Sequence, residues 1–227
     1  MVSDAELIEK RDFSRVKSIG SHRTLAGFHL VRCEFDGSSL AQFDDPGLNL
    51  VVRDARLTRC VCRQSSIQGV RLEDVLVDGV TMSGSLNLHG CALRHVTLRG
   101  RVGRWFIMPP NPSLPAEVRE AFMIAIQRFY RDVDWALDIS AAEFTSAQLH
   151  YVPGELVRRD PETQFLLRRH VVEAVDPAEL PSFGSIAVSR FETTPLDCIV
   201  AAAPKRSSNF AEILDHLQQM RNRGLAE

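Results

Sequence analysis

The chain has 227 residues, 44% hydrophobic and 25% charged, which is enough to bury the core of one large or two small domains without disulfide staples. Its formal net charge of -2 gives no general attraction to nucleic acid or to anionic lipid. No run of about 18 apolar residues is present, and residues 1–6 lack the basic and apolar blocks of a signal peptide. Composition therefore predicts a cytoplasmic protein without a membrane partner.

Residues 1–24 are predicted to form an N-terminal cap. From residue 28 to residue 98, pairs of apolar side chains two positions apart recur every five residues, with register shifts near 51–54 and 83–85. Within each repeat, apolar and polar residues alternate for a few positions and two polar residues then break the alternation. This pattern predicts a very short strand followed by a turn in each repeat. Only three of the paired positions are not apolar: Ser38, Asp45 and Ser65.

The repeat resembles the pentapeptide repeat family, whose consensus places a small residue two positions before Leu or Phe. The matching triplets are Cys33-Glu34-Phe35, Ser38-Ser39-Leu40 and Cys91-Ala92-Leu93. The resemblance implies a right-handed quadrilateral β-helix, a solenoid with four pentads to a coil, over residues 25–107. We therefore predict a mainly β fold of this type, with an inserted α-helix and a small α+β C-terminal region.

Prolines between residues 109 and 115 interrupt the repeat, because proline cannot donate a ladder hydrogen bond. Residues 108–136 are predicted to form an inserted helix with its linkers, since apolar residues then recur at helical spacing. The five-residue pattern returns at residues 137–151, which predicts a resumed coil over 137–152. The alternative is that these pentads arise by chance in a different strand.

Residues 153–227 are predicted to form an α+β tail. Strands are expected at 165–167, 170–175, 185–191 and 198–203, where β-formers lie between Pro and Gly residues. Apolar residues at helical spacing predict a final helix at about 209–223.

Four of the five cysteines occupy inward positions of the repeat, where a small buried side chain fits. We interpret them as core thiols rather than as metal ligands or redox groups. They are Cys33, Cys60, Cys62 and Cys91. The sequence predicts neither a cofactor nor a metal site.

An Arg-rich segment is the best candidate contact for an anion or a partner. The alternative is a solvated turn whose arginines pair with nearby acids. Its candidate residues are Arg158, Arg159, Arg168 and Arg169. Catalysis by the Asp197-Cys198 pair, with His150 or His170 as base, is disfavoured because adjacent residues of a strand face opposite sides.

The sequence thus predicts a non-catalytic protein that binds a protein partner or acts as a scaffold, and it leaves homo-oligomerisation open. Some pentapeptide repeat proteins resemble DNA and bind type II topoisomerases. Residues 25–102 contain 8 acids and 9 arginines, so 9 − 8 leaves +1, whereas a DNA mimic needs a strongly negative face. An enzymatic or anion-binding C-terminal region is the remaining alternative.

Overall fold

The computed structural model describes residues 5–227, so the prediction about residues 1–6 falls mostly outside the described part. Fourteen strands and four α-helices lie within it. Strands β1 to β5 are Glu6–Glu9, Lys17–Ile19, Arg23–Val31, Glu34–Asp36 and Ser39–Ala41. Strands β6 to β10 are Leu50–Arg63, Ser66–Gln68, Arg71–Ser83, Leu86–His89 and Ala92–Met108. Strands β11 to β14 are Leu137–Gln148, Val157–Arg158, Gln164–Arg168 and Cys198–Ala202. Helices α1 to α4 are Ala116–Tyr130, Arg169–Val172, Ser182–Ser189 and Phe210–Asn222.

Twelve of the strands form one sheet. The main path of this sheet is β1-β3-β6-β8-β10-β9-β7-β5-β2, with β4 beside β6, β11 beside β10 and β12 beside β11. Its pairings are parallel: Ala55 of β6 lies beside Phe28 of β3 and Val75 of β8, and Val75 lies beside Val96 of β10. This register stacks equivalent positions of the repeat in columns across the sheet.

The predicted right-handed quadrilateral β-helix is wrong, because the sheet is an open, twisted and curled half-barrel rather than a closed solenoid. We expected a break in every repeat, but β6, β8 and β10 run for 14, 13 and 17 residues. β10 pairs with β8 through residues 92–99 and with β9 through residues 105–108. This one long strand therefore belongs to both halves of the curled sheet. Within residues 5–227 the path ends at β1 and β2, so the described sheet is open.

The long strands bend where the short ones were predicted to end. Asp54, Asp74 and His95 have left-handed φ values of 51°, 54° and 55°, and they interrupt the pairing of β6, β8 and β10 at the same level. Asp and His are among the residues that adopt this conformation most readily. The strands therefore bend at polar positions of the repeat, while the paired apolar positions keep their pairing with the neighbouring strands.

The paired positions face the concave side of the sheet and form the main core. Cys33 and Cys60 are fully buried and Cys91 is 2% exposed, which confirms that these are core thiols; Cys62 is half-buried. Burial raises the pKa of Cys91 to about 12, so its thiol stays protonated at neutral pH.

Helix α1 lies within residues 108–136, where the inserted helix was predicted, and packs on the sheet. The Tyr130 hydroxyl accepts a hydrogen bond from the Leu93 N–H at 3.3 Å. The chain then returns to the sheet: β11 pairs in parallel with β10, and its Leu137 and Ile139 are fully buried. Three residues of α1 are buried: Phe122, Ile126 and Tyr130.

In the C-terminal region β13 and β14 form a two-stranded antiparallel sheet. Two predicted strands are wrong: residues 170–175 begin in α2, and residues 185–191 lie in α3 and the 3-10 turn after it. A Cβ atom at Gly184 of α3 would lie 2.7 Å from Met220 Sδ of α4, so the two helices pack closely. Helix packing thus outweighs the strand preference of the apolar residues in this segment.

Helix α4 lies within the range 209–223 predicted for it. Leu166 and Val200 belong to the same buried cluster as the large sheet, so the C-terminal region packs directly on that sheet. The predicted domain boundaries remain predictions. None of the helices described for residues 5–227 combines the length and apolar character that a membrane-spanning helix needs.

Candidate functional site

The four arginines predicted to bind an anion or a partner lie in different settings. The guanidinium of Arg158 lies 4.1 Å from the ring centre of Trp135, a cation–π contact. The next residue, Arg159, is half-buried, and its Nε atom is buried without a hydrogen-bond partner among the described residues.

Arg168 and Arg169 connect separate segments of the chain. Arg168 donates hydrogen bonds to the carboxylates of Glu155 and Glu227 at 2.6 and 2.7 Å. Arg169 donates to three backbone carbonyl oxygens, so both positive charges are already engaged within the chain. These acceptors belong to Phe191, Thr194 and Leu196.

Of the residues weighed for catalysis, His170 is exposed, and Cys198, His150 and Asp197 do not have the environment of a nucleophile and its base. Cys198 is 6% exposed, and burial raises the pKa of its thiol, which therefore remains protonated at neutral pH. Burial, together with the nearby charge of Arg190, lowers the pKa of His150 to about 4. The side chain of Asp197 is 96% exposed and lies 3.7 Å from Arg169.

His95 forms a cluster that the sequence analysis missed. Its Nε2 lies 2.7 Å from Asp134 Oδ1 and its Nδ1 lies 3.0 Å from Asp74 Oδ1. The hydrogen bond with Asp134, followed by that with Asp74, raises the pKa of His95. The ring also stacks on Trp135, with centroids 4.7 Å apart. Because both nitrogens are occupied, this cluster is suited to joining β8, β10 and the connection before β11 rather than to proton transfer.

Other acids on the outer face of the sheet are also paired. Glu73 lies between Arg71 at 2.7 Å and Arg94 at 2.5 Å, and Arg99 lies 2.6 Å from Asp78. The Arg94–Glu73 and Arg99–Asp78 pairs connect β10 with β8, whereas the Arg71–Glu73 pair lies within β8. Positive and negative side chains therefore alternate on this face. No group of three or more potential metal ligands occurs within residues 5–227.

A cavity of about 600 Å³ lies inside the half-barrel, lined mainly by apolar side chains of strands β1 to β10. Two hydroxyls in its wall are satisfied by the backbone: Ser38 donates to Phe13 O at 2.6 Å and Ser65 donates to Arg63 O at 3.0 Å. These buried serines are two of the three polar exceptions in the repeat.

No family model, curated protein or solved structure matches this chain.

The two ends of the sheet differ. Beyond β11 the C-terminal region covers the sheet, where the Gln164 side chain donates to Ile139 O and the Arg206 N–H donates to Phe144 O, both at 3.0 Å. At the other end, which we call the open end, β1 and β2 each pair with one strand of the described chain. Four apolar side chains there are 37–59% exposed: Leu7, Val16, Ile19 and Leu25.

Proposed function

We propose that this protein is a non-catalytic interaction protein that binds a protein partner through the open end of its sheet. The observation that carries this proposal is an asymmetry between the two ends of the sheet. The C-terminal region covers the edge at β11, whereas β1 and β2 each pair with only one strand among residues 5–227. An edge strand offers unpaired backbone N–H and C=O groups, to which a partner can add a strand. The side chains of Leu7 and Ile19, 59% and 58% exposed, supply apolar surface for that contact.

The charge of β1 favours a partner with basic residues on either side of an apolar pair. Antiparallel pairing of β1 with its own copy, centred between Leu7 and Ile8, would place Glu6 opposite Glu9. Like charges directly opposite one another destabilise a strand pair, so a second copy fits less well than a basic strand. A DNA-mimicking surface is not supported, because Glu73 and Asp78 are paired with arginines and residues 25–102 carry 9 arginines against 8 acids.

The test compares the tagged protein with two variants after recovery from its native cells. We expect a stoichiometric partner with the parent and with Ile186→Lys, a control in which a residue of α3 that is 51% exposed is changed. Leu7→Lys/Ile19→Lys should lose that partner, because lysines are placed where the apolar contact is expected.

Retention of the partner by the edge variant would contradict the proposal, as would repeated recovery of the parent protein alone. Light scattering on the purified protein shows whether the partner is instead a second copy of the same chain. A dimer that the edge variant abolishes would identify a second copy as the partner and would overturn the preference for a basic strand.

A further inference from the structure

The cavity is a tunnel that crosses several strands. Its wall includes Ile8 of β1, Leu30 of β3, Leu57 of β6, Val77 of β8 and Val96 of β10. These strands are neighbours in the sheet. At a strand spacing of about 4.8 Å, the four intervals between them span about 19 Å. The cavity is therefore long compared with an ordinary packing defect.

The tunnel is closed at one end and open at the other. At its inner end Val96 and Trp105 are 1% and 4% exposed, and the Trp105 indole N–H donates to Val102 O at 2.8 Å. At its outer end Val16 and Leu25 are 47% and 37% exposed. A ligand would therefore enter from the open end and stop at Trp105.

The wall of the tunnel is suited to a ligand without polar groups. Among residues 5–227 no charged residue lines it, and its polar lining consists of Ser and Thr residues. The hydroxyls of Ser38 and Ser65 are bonded to backbone carbonyls. The other hydroxyl residues of the wall are Ser18, Thr24, Ser39 and Ser66, and all remaining lining residues are apolar. A peptide inside would leave backbone N–H and C=O groups without partners, which costs free energy. A hydrocarbon chain carries no such groups.

Several inward residues are left incompletely covered by the protein itself. Leu57, Ile67 and Met82 occupy inward positions of the repeat and line the tunnel, yet all three are only half-buried. An apolar chain along the tunnel would remove their remaining surface from water, which is the main source of affinity in apolar sites.

We propose that this tunnel binds a single linear hydrocarbon chain of the fatty-acyl class, with its head group at the open end. The two sites meet at the open end, where Val16 and Leu25 line the mouth of the tunnel, but Leu7 and Ile19 of the proposed partner contact do not line it. The tunnel is tested by ligand binding to the purified protein and the partner contact by variants of Leu7 and Ile19, so the failure of one proposal is distinguishable from the failure of the other.

The test measures binding of saturated fatty acids from octanoate to octadecanoate, and of the matching alcohols, below their micellar concentrations. Affinity should rise about fourfold per added methylene, equivalent to about 0.8 kcal/mol, until the chain fills the tunnel, and then stop rising. Acid and alcohol of equal length should bind alike, because the head group stays in solvent. Absence of binding, or affinity that follows the head group instead of chain length, would overturn the proposal.

Two variants locate the site. Cys62→Phe places a large ring in the tunnel and should weaken tetradecanoate binding at least tenfold. The matched control is Val61→Phe, because Val61 is the neighbouring residue on the opposite face of β6 and does not line the cavity. Equal binding by both variants would place the ligand elsewhere and refute the site. If Cys62→Phe does not fold, the chain-length series on the parent protein still decides the proposal.

Discussion

Arg169 is expected to stabilise the fold rather than to bind an anion, and Arg169→Met tests this. The guanidinium donates to the carbonyl oxygens of Phe191, Thr194 and Leu196 at 3.0, 2.7 and 2.9 Å, and its side chain is 25% exposed. A hydrogen bond that involves a charged group contributes about 1.5–3 kcal/mol, and bonds that share one donor group do not add fully. We expect Arg169→Met to lower the free energy of unfolding by about 2–4 kcal/mol.

The matched control is Arg168→Met, which removes the neighbouring arginine. The partners of Arg168 are the carboxylates of Glu155 and Glu227, whose side chains are 60% and 54% exposed, so water replaces the lost contacts easily. Urea unfolding monitored by circular dichroism should show a much smaller loss of unfolding free energy for this variant. The m value should equal that of the parent, so that a shift in the midpoint reports a change in stability. Equal losses for the two variants, or a loss below about 1 kcal/mol for Arg169→Met, would refute the assigned role.

Two further predictions concern the sheet. The raised pKa of His95 means that its ion pairs stabilise the fold fully below the unfolded pKa of about 6.5, and that this contribution is lost as pH rises through the higher folded pKa. The difference in unfolding free energy between the parent and His95→Gln, measured by urea unfolding, should therefore be largest near pH 5.5, at up to about 1 kcal/mol, and should shrink by pH 9. A difference that does not change with pH would contradict the role assigned to His95. Phe122→Ala removes a fully buried ring of α1 and should lower the free energy of unfolding in urea by about 3–5 kcal/mol. The control Ile124→Ala, at a position that is 49% exposed, should lower it by less than about 1 kcal/mol. Similar losses for the two variants would show that α1 is not docked through Phe122.

The candidate site could be predicted only in part from the sequence. No sequence signal indicated the His95 cluster, because its partners Asp74 and Asp134 lie 21 and 39 residues away in the chain. Such contacts depend on the register between strands and on where β11 rejoins the sheet. The arginines at 168 and 169 were identifiable as a polar cluster, while their partners in distant segments were not.

The C-terminal errors have a similar origin. The segment 185–191 is apolar enough for a strand, and the pattern of so short a run does not distinguish a strand from a buried helix. Contact between Gly184 and Met220 decides in favour of a helix. Membership of the pentapeptide repeat family stays a prediction, because resemblance in spacing was its only support.

By itself the sequence determined which residues face inward, because alternate side chains of an extended strand must lie on opposite faces. The burial of Cys33, Cys60 and Cys91 follows from that rule. The tertiary structure alone decided that the sheet stays open. The apolar face of a sheet must be covered, but this can be achieved in a closed or in an open sheet. The same five-residue pattern is therefore compatible with both. The choice depends on the bend at residues such as Asp74, on strand register, and on how much of the interior the side chains fill. These are properties of distant contacts, and they created both the tunnel and the bare edge.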